Sequence, residues 1–264
     1  MKLTRSLHPG GRSWLALLAC LAACASPPAP RETAPIESAP PLGESDQALS
    51  AERTCVDLAY KLYLPPSYVA AADRPRWPLL VFLHGAGERG DDLERVAIHG
   101  PIGIARQRDM PFVIVSPLCP KGRAWRNEEL LALIEDCLAR YHVDPDRVLL
   151  TGLSMGGYGT FQLGLAHPQL FAALVPICGG GETLTPRMHD EAGMTALRSL
   201  PVRVYHGVDD KVVSIEESLR MVGLLERLGV PVQMIRYEGV GHAAWKPAYQ
   251  DKELWTWLAA QRRL

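Results

Sequence analysis

The run Gly152-Leu153-Ser154-Met155-Gly156-Gly157 follows directly on the strand-like residues 147–151, with Val148, Leu149 and Leu150 at their centre, and passes straight into a helix-like stretch reaching about residue 166. The first stretch reads as a strand and the second as a helix, so the chain must reverse from one to the other within a very tight turn. Small residues flanking such a turn let strand and helix approach each other. A strand that feeds a helix without pause is the building unit of a parallel sheet, because parallel neighbours need a crossover connection.

The rest of the chain repeats that rhythm. Short, solidly apolar runs at 78–84 and 112–116 read as strands buried on both faces, and 171–178, 202–206 and 232–237 supply three more strands. Residues 54–64 alternate apolar and polar and then meet Pro65-Pro66, which predicts an early, antiparallel strand. Helical spacing covers 127–141, 215–228 (ending at Gly229) and 248–261. Residues 179–199 break the pattern and are expected to form a loop or small insertion at the mouth of the site. Strands alternating with helices predict an α/β domain, a mostly parallel sheet flanked by helices on both faces.

Ser154 stands at the centre of the glycine-rich turn, matching the G-x-S-x-G pattern of a nucleophile elbow. A serine hydroxyl is a poor nucleophile unless a base takes its proton, and histidine suits that task near neutral pH. His242, in Gly239-Val240-Gly241-His242 just after the last expected strand, is the candidate base. The acid that orients its ring is sought after strand 202–206, where Asp209 and Asp210 stand side by side. Asp210 is preferred and Asp209 is the alternative. The resulting order Ser154, Asp210, His242 differs from the orders of chymotrypsin and subtilisin. An attacked carbonyl also needs two preplaced N–H donors. Met155, after the nucleophile, and Ala86, in the turn His84-Gly85-Ala86-Gly87, are the candidates, with His84 holding the loop in shape.

Several motifs carry a family resemblance. Leu83 to Gly90, Asp144 to Arg147, Thr151 to Tyr158, Pro176 to Gly180 and Gly241 to Trp245 resemble the prolyl-oligopeptidase-like esterases of the α/β-hydrolase superfamily. Bacterial predicted peptidases, phospholipase/carboxylesterases and feruloyl and acetyl esterases are similar across about 54–264. The resemblance implies an α/β-hydrolase fold and a serine esterase of small or carbohydrate-linked acyl esters. A serine peptidase of short peptides is the nearest rival, and a non-catalytic surface binding module is the alternative of another class. No counterpart of the β-propeller of true prolyl oligopeptidases is visible, which speaks against oligopeptide selection. Trp125 and Trp245 are candidate walls of the substrate pocket, and Glu88 and Arg89 are expected to pair and steady the oxyanion loop. The expected chemistry needs no metal and no cofactor, and no metal-ligand spacing is present.

The ends of the chain bear on location. Lys2, Arg5 and Arg12 precede the apolar segment 14–23, which is too short for a permanent membrane span and reads as an export signal. Leu21-Ala22-Ala23-Cys24 resembles a bacterial lipobox, implying cleavage before Cys24 and its acylation. Ala25 in place of Asp then favours the outer membrane. The other reading is a plain secretory signal in which Cys24 is incidental. Residues 25–50, rich in Pro, Ala, Ser and Glu, are expected to be a disordered tether, with the catalytic domain at 51–264. Cys55, Cys119, Cys137 and Cys178 are expected either to form disulfides in an oxidising compartment or to serve as small buried apolar groups. A formal net charge of −1, with no basic run, gives no footprint for nucleic acid.

Overall fold

Along the third strand Leu79, Val81 and Leu83 face one side and Leu80 and Phe82 the other, and all five are buried. Two-residue periodicity with both faces apolar is possible only for a strand covered on both sides. A computed structural model describes residues 40–49 and 56–263 of the chain. The expected export signal, Cys24, the tether up to residue 39 and Cys55 lie outside the described residues.

The described strands are β1 (Gly43–Leu49), β2 (Leu58–Leu64), β3 (Trp77–Leu83), β4 (Val113–Pro117), β5 (Val143–Leu153), β6 (Ala173–Ile177), β7 (Val202–Gly207) and β8 (Val232–Tyr237). They form one sheet in the order β1-β2-β4-β3-β5-β6-β7-β8. β1 and β2 run antiparallel to their neighbours, and the pairings from β4 to β8 are all parallel. The helices are α1 (Pro101–Ala105), α2 (Asn127–Arg140), α3 (Met155–Ala166), α4 (Glu191–Arg198), α5 (Ile215–Leu228), α6 (Trp245–Gln250) and α7 (Lys252–Ala260). One apolar layer holds α2, α3 and α5 against the sheet, and the other holds α1, α6 and α7.

The signals that end the helices are local. In α5 the Ser214 side chain accepts from the Glu216 amide, Glu216 and Glu217 occupy the first turn, and Gly229 closes the helix in the left-handed region at φ 77°. Each device satisfies an end group or complements the helix dipole. The expected final helix is two helices, α6 and α7, because Asp251 leaves helical geometry and caps α7 by accepting from the Glu253 amide. The expected insertion 179–199 contains α4, whose Asp190 cap accepts from the Gly193 amide.

The domain begins earlier than the composition suggests. Residues 43–49, expected to belong to the tether, are strand β1, paired along its whole length with β2. Leu49 enters the core, and Glu44 and Asp46 reach Lys61 of β2 at 3.0 and 2.6 Å. Lys61 is buried, and Glu94 closes on it at 2.7 Å while Arg106 bridges Glu44 and Glu94. Ion pairing and strand pairing thus order a segment that has little apolar surface of its own. A buried lysine with three carboxylate partners cannot be replaced by an apolar residue without leaving those carboxylates mutually repelling. Lys61→Met is expected to lose about 2 kcal/mol of stability, since removing one partner of a buried ionic hydrogen bond costs on that order. Urea unfolding would check this, with loss of the β1 amides' hydrogen-exchange protection as the local signature.

Candidate active site

The sheet delivers four loops to one end, beyond the carboxyl ends of β3, β5, β7 and β8, where ligands of open parallel sheets bind. Ser154 follows β5 with φ 52° and ψ −116°. A non-glycine residue held at positive φ is strained, at a cost of order 1–3 kcal/mol. The surrounding backbone leaves it no alternative. A Cβ on Gly156 would lie 1.8 Å from the Leu83 carbonyl oxygen, so only glycine lets α3 start this close to β3. The Ser154 amide donates to the Ile177 carbonyl at 2.9 Å, which ties the turn to β6.

His242 Nε2 lies 3.0 Å from Ser154 Oγ, and His242 Nδ1 lies 2.7 Å from Asp210 Oδ2. Serine, imidazole and carboxylate therefore form one continuous hydrogen-bonded chain. Of the two candidate acids, Asp210 is buried and meets the imidazole, whereas Asp209 is exposed and only its amide is used, on the Val240 carbonyl. The Val212 and Val213 amides donate to Asp210 Oδ1 at 2.8 and 2.9 Å. Burial pushes the Asp210 carboxyl up, but the bonds from His242, Val213 and Val212 outweigh it and hold the carboxyl below its ordinary value. The acid and histidine loops are packed backbone to backbone: a Cβ on Gly207 would meet the Val240 and Gly241 carbonyls at 2.2 and 2.3 Å.

The oxyanion candidates sit at two helix starts. Met155 opens α3, and Ala86 opens a single 3-10 turn, Ala86–Glu88, beside the mouth. Amides in the first turn of a helix have no acceptor within it and are free to serve a ligand. Below this loop lies His84, which is buried. The Cys119 amide donates to its Nε2 at 2.9 Å, so Nδ1 carries the hydrogen and donates to the Gly85 carbonyl at 2.7 Å. Burial drives the His84 pKa down to about 4, and His84 is a neutral fastener for the loop.

Three side chains differ from expectation. Trp125 is buried, donates from Nε1 to the His84 carbonyl at 3.1 Å and packs edge-on against the His84 ring. Its position after the β4 end suggested a ligand, but its polar atom is spent on the loop's backbone. Trp245 does stand beside the triad, its ring perpendicular to that of His242 with centroids 5.4 Å apart. The Tyr249 hydroxyl, 2.9 Å from Thr151 Oγ1, seats α6 on β5 and so fixes Trp245. The expected Glu88–Arg89 pair is not formed. Glu88 turns inward to His99 at 3.7 Å, whereas Arg89 donates to the Ala86 and Arg123 carbonyls. Adjacent residues on so tight a turn point to opposite sides.

Sequence reasoning gave no role in the site to His99, His206 or Cys178. His206 Nε2 lies 3.0 Å from the Val213 carbonyl and 3.3 Å from Asp210 Oδ2, and so helps to place the acid. Cys178, at φ 40°, lies fully buried behind the triad with its thiol pushed up to about 12 by burial. Its sulfur and donor atoms of Asp210 and His242 lie within 4.8 Å of one another, but Asp210 and His242 are already bonded to each other. Cys119, Cys137 and Cys178 are free and buried, the small-apolar reading of the two offered above. A hollow of about 490 Å³ bordered by Arg74, Trp77 and Arg147 opens at the opposite, amino-terminal ends of the strands, away from Ser154.

A thermostable esterase of known structure superposes on the chain with TM-score 0.68 at 32% identity, over 83% of this chain and 63% of that one. The chain has the α/β-hydrolase fold. A family model described as phospholipase/carboxylesterase matches this chain over residues 124–254, a span that includes Ser154, Asp210 and His242 but not the Ala86–Glu88 turn. The carboxylesterase SOBER1 of Arabidopsis thaliana is 25% identical over 150 residues, 56% of this chain and 63% of its own. A ferulic acid esterase shares the fold with TM-score 0.64 at 19% identity, covering 83% of this chain and 98% of its own. The chain covers 55%, 42% and 63% of the length of three of the curated relatives it matches.

The neutral state of His84 makes stability pH-dependent. The unfolded chain binds a proton at this position below about 6.5, whereas the folded protein resists until about 4. Stability conferred by the neutral ring is therefore complete above 6.5 and is lost as pH falls toward 4, by up to about 3 kcal/mol. His84→Gln is expected to lose less stability than the parent between pH 7 and pH 4.5, by about 2 kcal/mol. Denaturant midpoints at the two pH values would measure the difference, and equal losses would sink the assignment.

Proposed function

We propose that this protein is a serine hydrolase of carboxylic esters that works through an acyl-enzyme. The observation that carries the reading is the hydrogen-bonded chain from Ser154 Oγ through His242 to Asp210, on a strained turn beside two helix starts. Ser154 Oγ attacks the ester carbonyl while His242 Nε2 takes its proton. The Met155 and Ala86 amides receive the oxyanion, and Asp210 stabilises the imidazolium. His242 then protonates the departing alcohol, and water, activated by the same imidazole, releases the acid and restores the serine. Small or carbohydrate-linked acyl esters, acetyl or feruloyl, are the proposed substrates. The carboxylesterase SOBER1 and the thermostable esterase support the ester bond, while peptidases also share the fold at 13–16% identity.

Comparison of an acetyl ester with its matched anilide tests the reading directly. The ester is expected to turn over much faster, Ser154→Ala to abolish turnover, and Asp210→Asn to reduce kcat by roughly 10³–10⁴-fold. Comparable anilide cleavage would favour the peptidase, and no labelling of Ser154 by a fluorophosphonate would favour a binding module.

We also propose that the protein is exported and held at a membrane through acylated Cys24, on the strength of the lipobox-like segment ending there. Palmitate incorporation in a bacterial host, lost in Cys24→Ser, is the expected result. An unlabelled, freely released protein would leave the plain secretory signal as the reading.

A further inference from the structure

Two buried polar atoms near Ser154 have no hydrogen-bond partner, Glu88 Oε2 and Trp245 Nε1. An unmade bond at a buried donor or acceptor costs about 1–3 kcal/mol, so such atoms call for an explanation. Both belong to one wall of the site. Glu88 Oε2 and Ser154 Cβ lie 3.0 and 3.6 Å from the same point, the position a Cβ on Gly85 would take. Glu88 Oε1 faces His99 Nε2 at 3.7 Å, and the His99 ring lies 5.4 Å from that of Trp245. Trp245 in turn stands against His242. Carboxylate, imidazole and indole thus run from the nucleophile's side of the mouth around to its base.

We infer that Glu88, His99 and Trp245 form a subsite for the uncharged, hydroxyl-bearing alcohol part of the ester, a sugar or a polyol. The inference rests on the ester-hydrolase reading above. His242 hands its proton to the leaving alkoxide, so whatever lies beside His242 on this wall faces the alcohol and not the acyl group. An orphan acceptor and an orphan donor on one wall match a hydroxyl group, which donates and accepts at once. An indole beside them offers the apolar surface that one face of a sugar ring covers. An ammonium group fits less well, because Arg89 and Arg95 donate to the Ala86 and Gly87 carbonyls and offset the Glu88 charge. His99 is the movable part: its side chain is one-third exposed and borders, with Trp245, a cleft of about 250 Å³. Rotation of its ring into the cleft would open both orphan atoms to the incoming hydroxyl.

The test measures kcat/KM for methyl 6-O-acetyl-glucoside and 1-acetylglycerol against that for cyclohexyl acetate, with the full-length protein. The parent is expected to favour the hydroxylated esters. Glu88→Gln removes the charge at the orphan acceptor, and Trp245→Phe removes the donor while keeping an aromatic wall. Each is expected to lower the ratio of hydroxylated to plain acetate about tenfold, chiefly through KM. A parent without preference, or a ratio unmoved in both variants, would overturn the subsite while leaving the ester hydrolase standing. No turnover of any acetate would instead overturn the ester-hydrolase reading and the subsite with it.

Discussion

The contact between the Leu83 carbonyl and Gly156 governs how the rest of the site is arranged. It brings the end of β3 to within van der Waals reach of the first turn of α3, and no side chain larger than hydrogen can stand between them. The same approach accompanies the positive-φ conformation of Ser154 and sets the Ala86 turn, which begins three residues after Leu83, beside the head of α3. Nucleophile and both candidate oxyanion donors are therefore consequences of one backbone approach. The strain at Ser154 is local, and it is held in place by the buried parallel sheet on which the turn rests.

The acid and the base belong to a second, equally tight assembly. Gly207 lets the loop after β7 press against the loop before α6, so Asp210 and His242 reach each other from strands that are neighbours in the sheet. Asp210 spends one oxygen on the Val212 and Val213 amides and the other on the imidazole. Every acceptor position that matters is filled before substrate arrives, which is the arrangement expected of a group that must not reorganise during reaction. Among the described residues, the buried polar atoms left without a partner on this side of the mouth are Glu88 Oε2 and Trp245 Nε1.

Legibility in the sequence followed the range of the signals. The bounds of α5 and β8 are those read from periodicity and from Gly229, because their caps and apolar stripe are local. Ser154, Asp210 and His242 could be named because each sits on a loop whose place follows from strand order. Asp210 could be preferred to Asp209 from its place four residues after His206, but which carboxylate turns inward is visible only in the fold. β1 was illegible: its ordering comes from Lys61, twelve or more residues away, and not from apolar residues of its own. Trp125 and Glu88 were misread for a related reason. The direction a side chain takes from a loop is set by partners such as the His84 carbonyl and His99, which are distant in sequence.

The edge strand β1 has a mechanical consequence. Its first residue, Gly43, pairs with Leu64, and its last, Leu49, pairs with Leu58, so the open end of this hairpin faces the preceding chain. A pull transmitted through the residues before Gly43 would load the ladder one rung at a time, from Gly43 inward, and not all rungs together. The ion cluster around Lys61 involves the second and fourth rungs, Glu44 and Asp46, and would act as a catch that stops the peel early. Even if that catch slipped, the strand lost would be the outermost one, and the parallel strands bearing Ser154, Asp210 and His242 would keep their neighbours. Under such a load the outermost strand would yield before the strands that carry Ser154, Asp210 and His242.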